Sequence, residues 1–226
     1  MIVYGRQPVR ELLAARRRPV ERIWATRGVA AEFPGAEVAD ADAIAARAGS
    51  DAHQGVCALT VGYPYVGAHE LLAGDEPFLV ALDEVQDPQN LGAIARTAEV
   101  AGAGGLVIPQ RRSAEVTPAA CKASAGAVEH LRIARVGNLA DFLGAAKQAG
   151  LWCYGADAGG RAYAEVDYAG GVVLVLGAEG KGLRPRVAKA CDELISLPVR
   201  GRIASLNVSA AAAALMYGIL QEKSRP

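Results

Sequence analysis

The chain reads as a parallel α/β domain preceded by a smaller α/β unit, and three observations predict this. Apolar runs such as VVLVL at residues 172–176 are nearly unbroken, as expected of strands covered on both faces. From residue 78 onward such runs alternate with segments of helical spacing, the pattern of parallel strands joined by crossover helices. Residues 62–76, with Pro64, Gly67 and Gly74 inside and Pro77 after, look like a linker between the two parts. The expected division is a front domain at 1–62, a linker at 63–76 and a larger domain at 77–226.

In the front unit, residues 6–15 have helical spacing, 22–25 read as a short strand, 40–48 as a second helix and 55–61 as a closing strand. The larger domain opens with the strand FLVALD at 78–83, and Asn90 is placed to cap a helix over 90–102. Strands follow at 105–109, 131–136, 152–155 and 172–176, with helices at 117–125 and 138–150. A short helix at 184–190 leads to a strand at 194–197, which Pro198 ends, and the last helix covers 206–221.

Composition narrows the function classes. With 52% hydrophobic and 21% charged residues, a buried core is easily built and disorder is not expected. The four cysteines form no C-x-x-C pair and the three histidines are scattered, so local spacing assembles no metal site. From this usage a reducing, cytoplasmic protein is expected, and the opening MIVYGRQPVREL, which lacks a charged-then-apolar leader, does not support secretion. Residues 203–220 carry no charge, approaching the length of a membrane span. Ser205, Asn207, Ser209, Gly218 and five consecutive alanines instead suit a helix buried in a globular domain or a dimer interface. The 24 basic and 24 acidic residues cancel, which excludes a generally basic, RNA-coating protein. Residues 1–27 nevertheless hold seven arginines, Arg16, Arg17, Arg18 and Arg22 among them, against Glu11 and Glu21. Such a patch suits phosphates, and equally suits a solvated helix end.

Ligands of open parallel sheets bind beyond the carboxyl ends of the strands, and three loops there stand out. The first, DEVQDPQNLGAIAR, carries Pro88, Asn90 and Arg96; six residues apart on one helix, the last two diverge unless Asn90 belongs to the loop. The second, GAEGKGLRP at 177–185, has more glycine than a plain strand-to-helix turn requires, and it carries Glu179. Its order, G-x-x-G-x-G, matches neither the phosphate-binding G-x-x-x-x-G-K-[ST] nor the dinucleotide-binding G-x-G-x-x-G. The third, LPVRGRIASLNVSAAAA, crowds Ser205, Asn207 and Ser209 at the start of an apolar helix that requires only one cap.

Taken together and in this order, the three segments resemble the motifs of the SpoU (TrmH-like) branch of the SPOUT methyltransferases. Asn90, Gly92 and Arg96 resemble its N-x-G-x-x-x-R motif; Leu176, Gly177, Glu179 and Gly182 its L-G-x-E-x-x-G loop; residues 205–209 its S-L-N-V-S motif. The opening VYGRQPVRELL and the H-Q-G at 53–55 resemble the start and end of the family's L30e-like RNA-binding domain. The resemblance implies a SPOUT-type parallel sheet with a deep C-terminal trefoil knot, an exception to generic topology rules. It also implies S-adenosylmethionine as cofactor, no metal, and a homodimer with the last helix at its interface.

The implied chemistry is attack of an RNA ribose 2'-hydroxyl on the sulfonium methyl. That hydroxyl is a very weak acid, so its developing charge calls for fixed positive charge and in-line positioning. Arg96 matches the family's catalytic arginine; a guanidinium of pKa above about 12 suits an electrostatic stabiliser and phosphate clamp better than a base. Asn90 and Glu179 would fix Arg96 and the ribose, while Ser205 and Asn207 would hold the substrate or the methionine end. Leu176, Gly177, Ala178, Gly180, Leu197 and Leu206 would cradle the cofactor, and Arg16, Arg17, Arg18 and Arg22 would meet RNA phosphates. The implied substrate is a guanosine of 23S ribosomal RNA, with a transfer-RNA guanosine or a non-catalytic RNA-binding module as alternatives.

Overall fold

The computed structural model describes residues 1–74, 77–203 and 205–224. Asp75 and Glu76 of the expected linker, and Ala204, Arg225 and Pro226 of the expected catalytic domain, lie outside the described residues.

The front unit comprises β1 (Ile2–Tyr4), α1 (Arg6–Ala15), β2 (Val20–Ala25), β3 (Glu37–Val38), α2 (Ala41–Ala48) and β4 (Val56–Thr60). Its sheet has the order β1-β4-β2-β3, in which β4 runs antiparallel to both neighbours. Helix α2 starts where Asp40 accepts a hydrogen bond from the N–H of Ala43. With three and two residues, β1 and β3 are too short to display a two-residue alternation, and the sequence reading lacks both.

The remainder comprises α3 (Ala68–Leu72), β5 (Phe78–Asp83), α4 (Pro88–Val100), β6 (Gly105–Pro109), α5 (Pro118–Ala123), β7 (Ile133–Val136), α6 (Leu139–Gln148), β8 (Trp152–Ala162), β9 (Val172–Gly177), α7 (Pro185–Ala190), β10 (Glu193–Ser196) and α8 (Val208–Lys223). Six strands form one sheet in the order β10-β8-β9-β5-β6-β7, and every neighbouring pair is parallel. Both faces are covered, as the apolar runs required. Val80, Leu82, Leu174 and Leu176 point into one core with Leu91, Ile94 and Leu215, while Leu79, Ala81, Val173 and Val175 point into another with Leu139 and Leu143. Each such fully buried leucine or isoleucine stabilises the fold by about 2 kcal/mol.

Three elements depart from the sequence reading. The segment expected as a linker holds α3, whose Leu71 is fully buried, and Val66 forms a parallel bridge with Ala134. Strand β8 runs on to Ala162 rather than stopping at Gly155, because β10 pairs first with Tyr154 and Gly155 and then, after a register shift, with Arg161 and Ala162. Nothing in DAGGR signals a strand; the neighbouring strand imposes it. Helix α4 begins at Pro88, capped by the Asp87 side chain on the N–H of Gln89 at 2.9 Å. Asn90 is therefore not the cap but part of the first helical turn, since proline at the first position starts the helix two residues early.

Among the described residues, no helix is long and apolar enough to cross a membrane. Helix α8 instead packs Val208, Ala212, Leu215, Met216 and Ile219 into the larger core.

Candidate active site

The sheet brings the carboxyl ends of β5 and β9 side by side, with β10 beyond β8 on the same edge. Here all three sequence motifs meet through one residue. Asn207 Nδ2 donates to Asn90 Oδ1 at 3.0 Å and lies 3.5 Å from Glu179 Oε2, while Asn207 Oδ1 accepts from the N–H of Ser209 at 2.9 Å. Asn207 thus caps α8 with one end of its amide and ties the α4 turn to the glycine loop with the other. Ser205 and Leu206 are exposed and precede α8, which begins at Val208.

Arg96 is not part of this cluster. It lies exposed on α4 with no hydrogen bond or ion pair among the described residues, so Asn90 and Glu179 hold Asn207 rather than Arg96. Gly92, one turn before it, has a packing reason: a Cβ there would lie 2.5 Å from Ala123 Cβ and 2.7 Å from the Ala120 carbonyl, where α4 crosses α5.

The glycine loop folds back on itself. Gly182 N–H donates to Ala178 O at 2.9 Å, and a Cβ on Gly177 would sit 2.2 Å from the Gly182 carbonyl carbon. Leu176 is buried at the end of β9, whereas Glu179 and Gly180 are exposed at the tip. A Cβ built on Gly180 meets nothing within 4 Å, so that side of the loop is open. Facing solvent in the loop before α8 are Ile203, 79% exposed, and Leu206, 55% exposed; Leu197, just past β10, is half-buried.

Two residues absent from the sequence reading hold this loop in place. Asp83, 0% exposed at the end of β5, accepts from Arg184 N at 2.8 Å and Arg184 Nε at 2.7 Å. The hydrogen bond to Asp83, more than its Coulomb attraction, holds the Arg184 guanidinium above its ordinary pKa against partial burial. Glu84, at a φ of 60°, lies 3.4 Å from Arg184 and 3.6 Å from Arg112. The signal was present: one acid ends the otherwise apolar FLVALD, and one arginine follows the last loop glycine but one residue.

Of the four arginines expected to meet RNA phosphates, Arg17 and Arg18 are engaged within the protein. Arg18 is buried, its guanidinium paired with Glu129, and Arg17 donates to the Leu131 carbonyl at 2.7 Å. Neither side chain is free for RNA phosphates, because both are used where the front unit meets the larger domain. Arg22 is exposed but paired with Glu37 at 3.0 Å. Arg16, in the left-handed region at φ 51°, stays exposed beside an open groove of about 460 Å³ lined by Leu12, Leu13 and Pro19. A second groove, of about 270 Å³, lies between Asn138 and Arg186. Among the described residues, no cluster of His, Cys, Asp and Glu could hold a metal ion.

Comparison with known proteins shows the family. The model of the SpoU rRNA Methylase family matches residues 77–217, and that of the RNA 2'-O ribose methyltransferase substrate-binding domain matches residues 2–66. The chain belongs to the SpoU family of RNA methyltransferases. A Bacillus subtilis protein named as a TrmH family tRNA/rRNA methyltransferase is 43% identical over 178 residues, covering 76% of this chain and 72% of its own length. The chain spans only 46% and 56% of the length of cyanobacterial and mycobacterial relatives that are 42% identical to it. Among solved structures, the SpoU methyltransferase AviRb from Streptomyces viridochromogenes in complex with AdoMet superposes with a TM-score of 0.84 at 24% identity, covering 100% of this chain and 91% of that one. An AdoMet-bound rRNA methyltransferase from Sinorhizobium meliloti gives 0.83 at 27% identity, covering 97% and 86%.

Proposed function

We propose that the chain methylates a ribose 2'-hydroxyl of RNA, with S-adenosylmethionine as cofactor and a guanosine of 23S ribosomal RNA as target. The observation that carries this reading is the convergence of Asn90, Glu179 and Asn207, one residue from each of the three motif segments. The match of the front unit to a ribose-methyltransferase substrate-binding domain supports the 2'-oxygen as acceptor.

The residues fit the cofactor. The loop at 177–182 is open on the Gly180 side, where its backbone groups would bind an adenosine; Leu197 and Leu206 offer the apolar flanks, whereas the Leu176 side chain is spent in the core. When bound, S-adenosylmethionine supplies a methyl group already activated by the sulfonium charge. The chain must then hold the ribose oxygen in line and stabilise the charge it develops. Arg96, exposed and unpaired among the described residues, supplies fixed positive charge and a fork for the adjoining phosphate. Asn207 keeps Glu179 and Asn90 oriented, and Ser205 extends the same polar rim toward substrate. The reading includes the family's knotted C-terminal chain path and a homodimer through the exposed side of α8, where Ala210 and Ala214 leave room for close helix contact and Tyr217 offers apolar area.

The test is transfer of tritiated methyl from S-adenosylmethionine to total RNA from cells lacking the protein, followed by mapping of the alkali-resistant linkage. Label at one guanosine of large-subunit RNA is expected. Label confined to transfer RNA would move the target there, and absence of label despite cofactor binding would overturn the catalytic reading.

A further inference from the structure

The chain that follows the front unit packs against the larger domain at Val66 and along α3. Val66 N–H donates to the Ile133 carbonyl at 3.0 Å, and α3 buries Leu71 beside Leu79 and Ala134. One continuous core joins Val3, Val9 and Leu12 of the front unit to Leu91, Ile94 and Val128. At the centre of this junction, the Arg18 and Glu129 side chains are each 1% exposed. Arg18 Nε donates to Glu129 Oε2 at 3.0 Å, Nη2 to Glu129 Oε1, and Nη1 to the Val61 carbonyl at 3.0 Å. Tyr63 hydroxyl donates to the Leu131 carbonyl at 2.6 Å, which also accepts from Arg17 at 2.7 Å. Glu11 and His130 meet at 2.7 Å on the rim.

An interface of leucine and valine alone tolerates sliding. A buried two-point ion pair does not, because a small displacement leaves a charge unpaired in a dry site. We propose that Arg18 and Glu129 are positioning residues that lock the front unit to the methyltransferase domain in one orientation, so that RNA gripped by the first is delivered at a set offset from the Asn90–Glu179–Asn207 cluster. Orientation fixed in the folded protein need not be bought again when RNA binds. The catalytic consequence rests on the RNA-methylation reading; the lock itself does not.

The test uses nitroxide labels at Glu21→Cys and Gln148→Cys, both exposed positions on opposite sides of the junction, with pulsed electron-resonance distances. The parent should give one narrow distribution. Arg18→Met with Glu129→Leu removes both charges while keeping the site filled, which preserves folding; Arg18→Lys keeps the charge but not the fork and carries the test if the double variant misfolds. Either change should broaden the distribution and lower kcat at saturating RNA by about tenfold or more, with KM for S-adenosylmethionine within about twofold of the parent. A broad distribution in the parent, a narrow one in the variants, or broadening with unchanged kcat would overturn the proposal. A parent that methylates no RNA yet gives a narrow distribution that broadens in the variants would sink the methylation reading and leave the lock standing.

Discussion

Asp83 accepts hydrogen bonds from both the main chain and the guanidinium of Arg184, at 2.8 and 2.7 Å, so β5 holds the far end of the loop that leaves β9. A carboxylate with no solvent access cannot lose these donors cheaply. Arg184→Ala should destabilise the protein by roughly 2–3 kcal/mol in urea unfolding, since Asp83 keeps only the N–H at residue 184. The loosened loop should also weaken S-adenosylmethionine binding by about tenfold in calorimetry, and unchanged affinity would show that the loop needs no such brace.

What was legible depended on the range of the signal. The apolar strands 78–83, 105–109 and 172–176 were plain because burial on both faces leaves unbroken runs, and the helix at 6–15 was plain because its stripe faces one core. The half of β8 past Gly155 was not, since its pairing with β10 is a property of the sheet and not of DAGGR. The motifs located Asn90, Glu179 and Asn207 but not their mutual bonds, which join residues 28 and 117 positions apart. The three consecutive arginines misled for the same reason: the partner that buries Arg18 is 111 residues away.

Asn207 does two jobs that can be separated. Asn207→Ala removes the cap of α8 and should cost about 1 kcal/mol of stability along with most turnover. Asn207→Asp keeps an oxygen for the N–H of Ser209 but faces Glu179 and Asn90 with an acceptor in place of a donor. Stability should stay within about 0.5 kcal/mol of the parent while turnover falls, and parallel losses in both variants would make the residue a cap only.

Burial pushes the thiols of Cys121, Cys153 and Cys191 up to about 12 from an ordinary value of 9.0, with Glu129 adding to the effect at Cys121 and Asp192 at the other two. Between these values the unfolded chain has released thiol protons that the folded chain still holds. Stability from this source is therefore full below pH 9 and declines as pH rises from about 9 toward about 12. Urea midpoints should be level through neutral pH and fall above pH 9, and Cys121→Ala should make that alkaline decline shallower. A decline of equal slope in the alanine variant would assign it to other groups.

Two glycines of one loop should respond differently. Gly177→Ala sets a Cβ 2.2 Å from the backbone of Gly182, so the loop must open, and cofactor affinity should drop by an order of magnitude or more. Gly180→Ala meets open space and suffers only from its φ of 74°, a strain of about 1 kcal/mol. Its affinity should fall less than that of Gly177→Ala. Calorimetry ranking Gly180→Ala as the worse variant would mean that the open side of the loop, not its fold-back, is what the cofactor requires.

Arg96 provides the sharpest division between binding and catalysis. It makes no hydrogen bond or ion pair to the glycine loop or Asn207 among the described residues, so Arg96→Ala should leave the fold and S-adenosylmethionine affinity unchanged. If its charge acts on the developing alkoxide, turnover with saturating RNA should fall by roughly 10²–10³-fold, the usual loss for one electrostatic stabiliser. Arg96→Lys should recover little, because an ammonium cannot grip oxygen and phosphate together as a planar fork does. A role in RNA capture alone predicts a different outcome: the alanine variant would raise KM for RNA, leave kcat intact, and be rescued by lysine at low salt, where a single charge suffices.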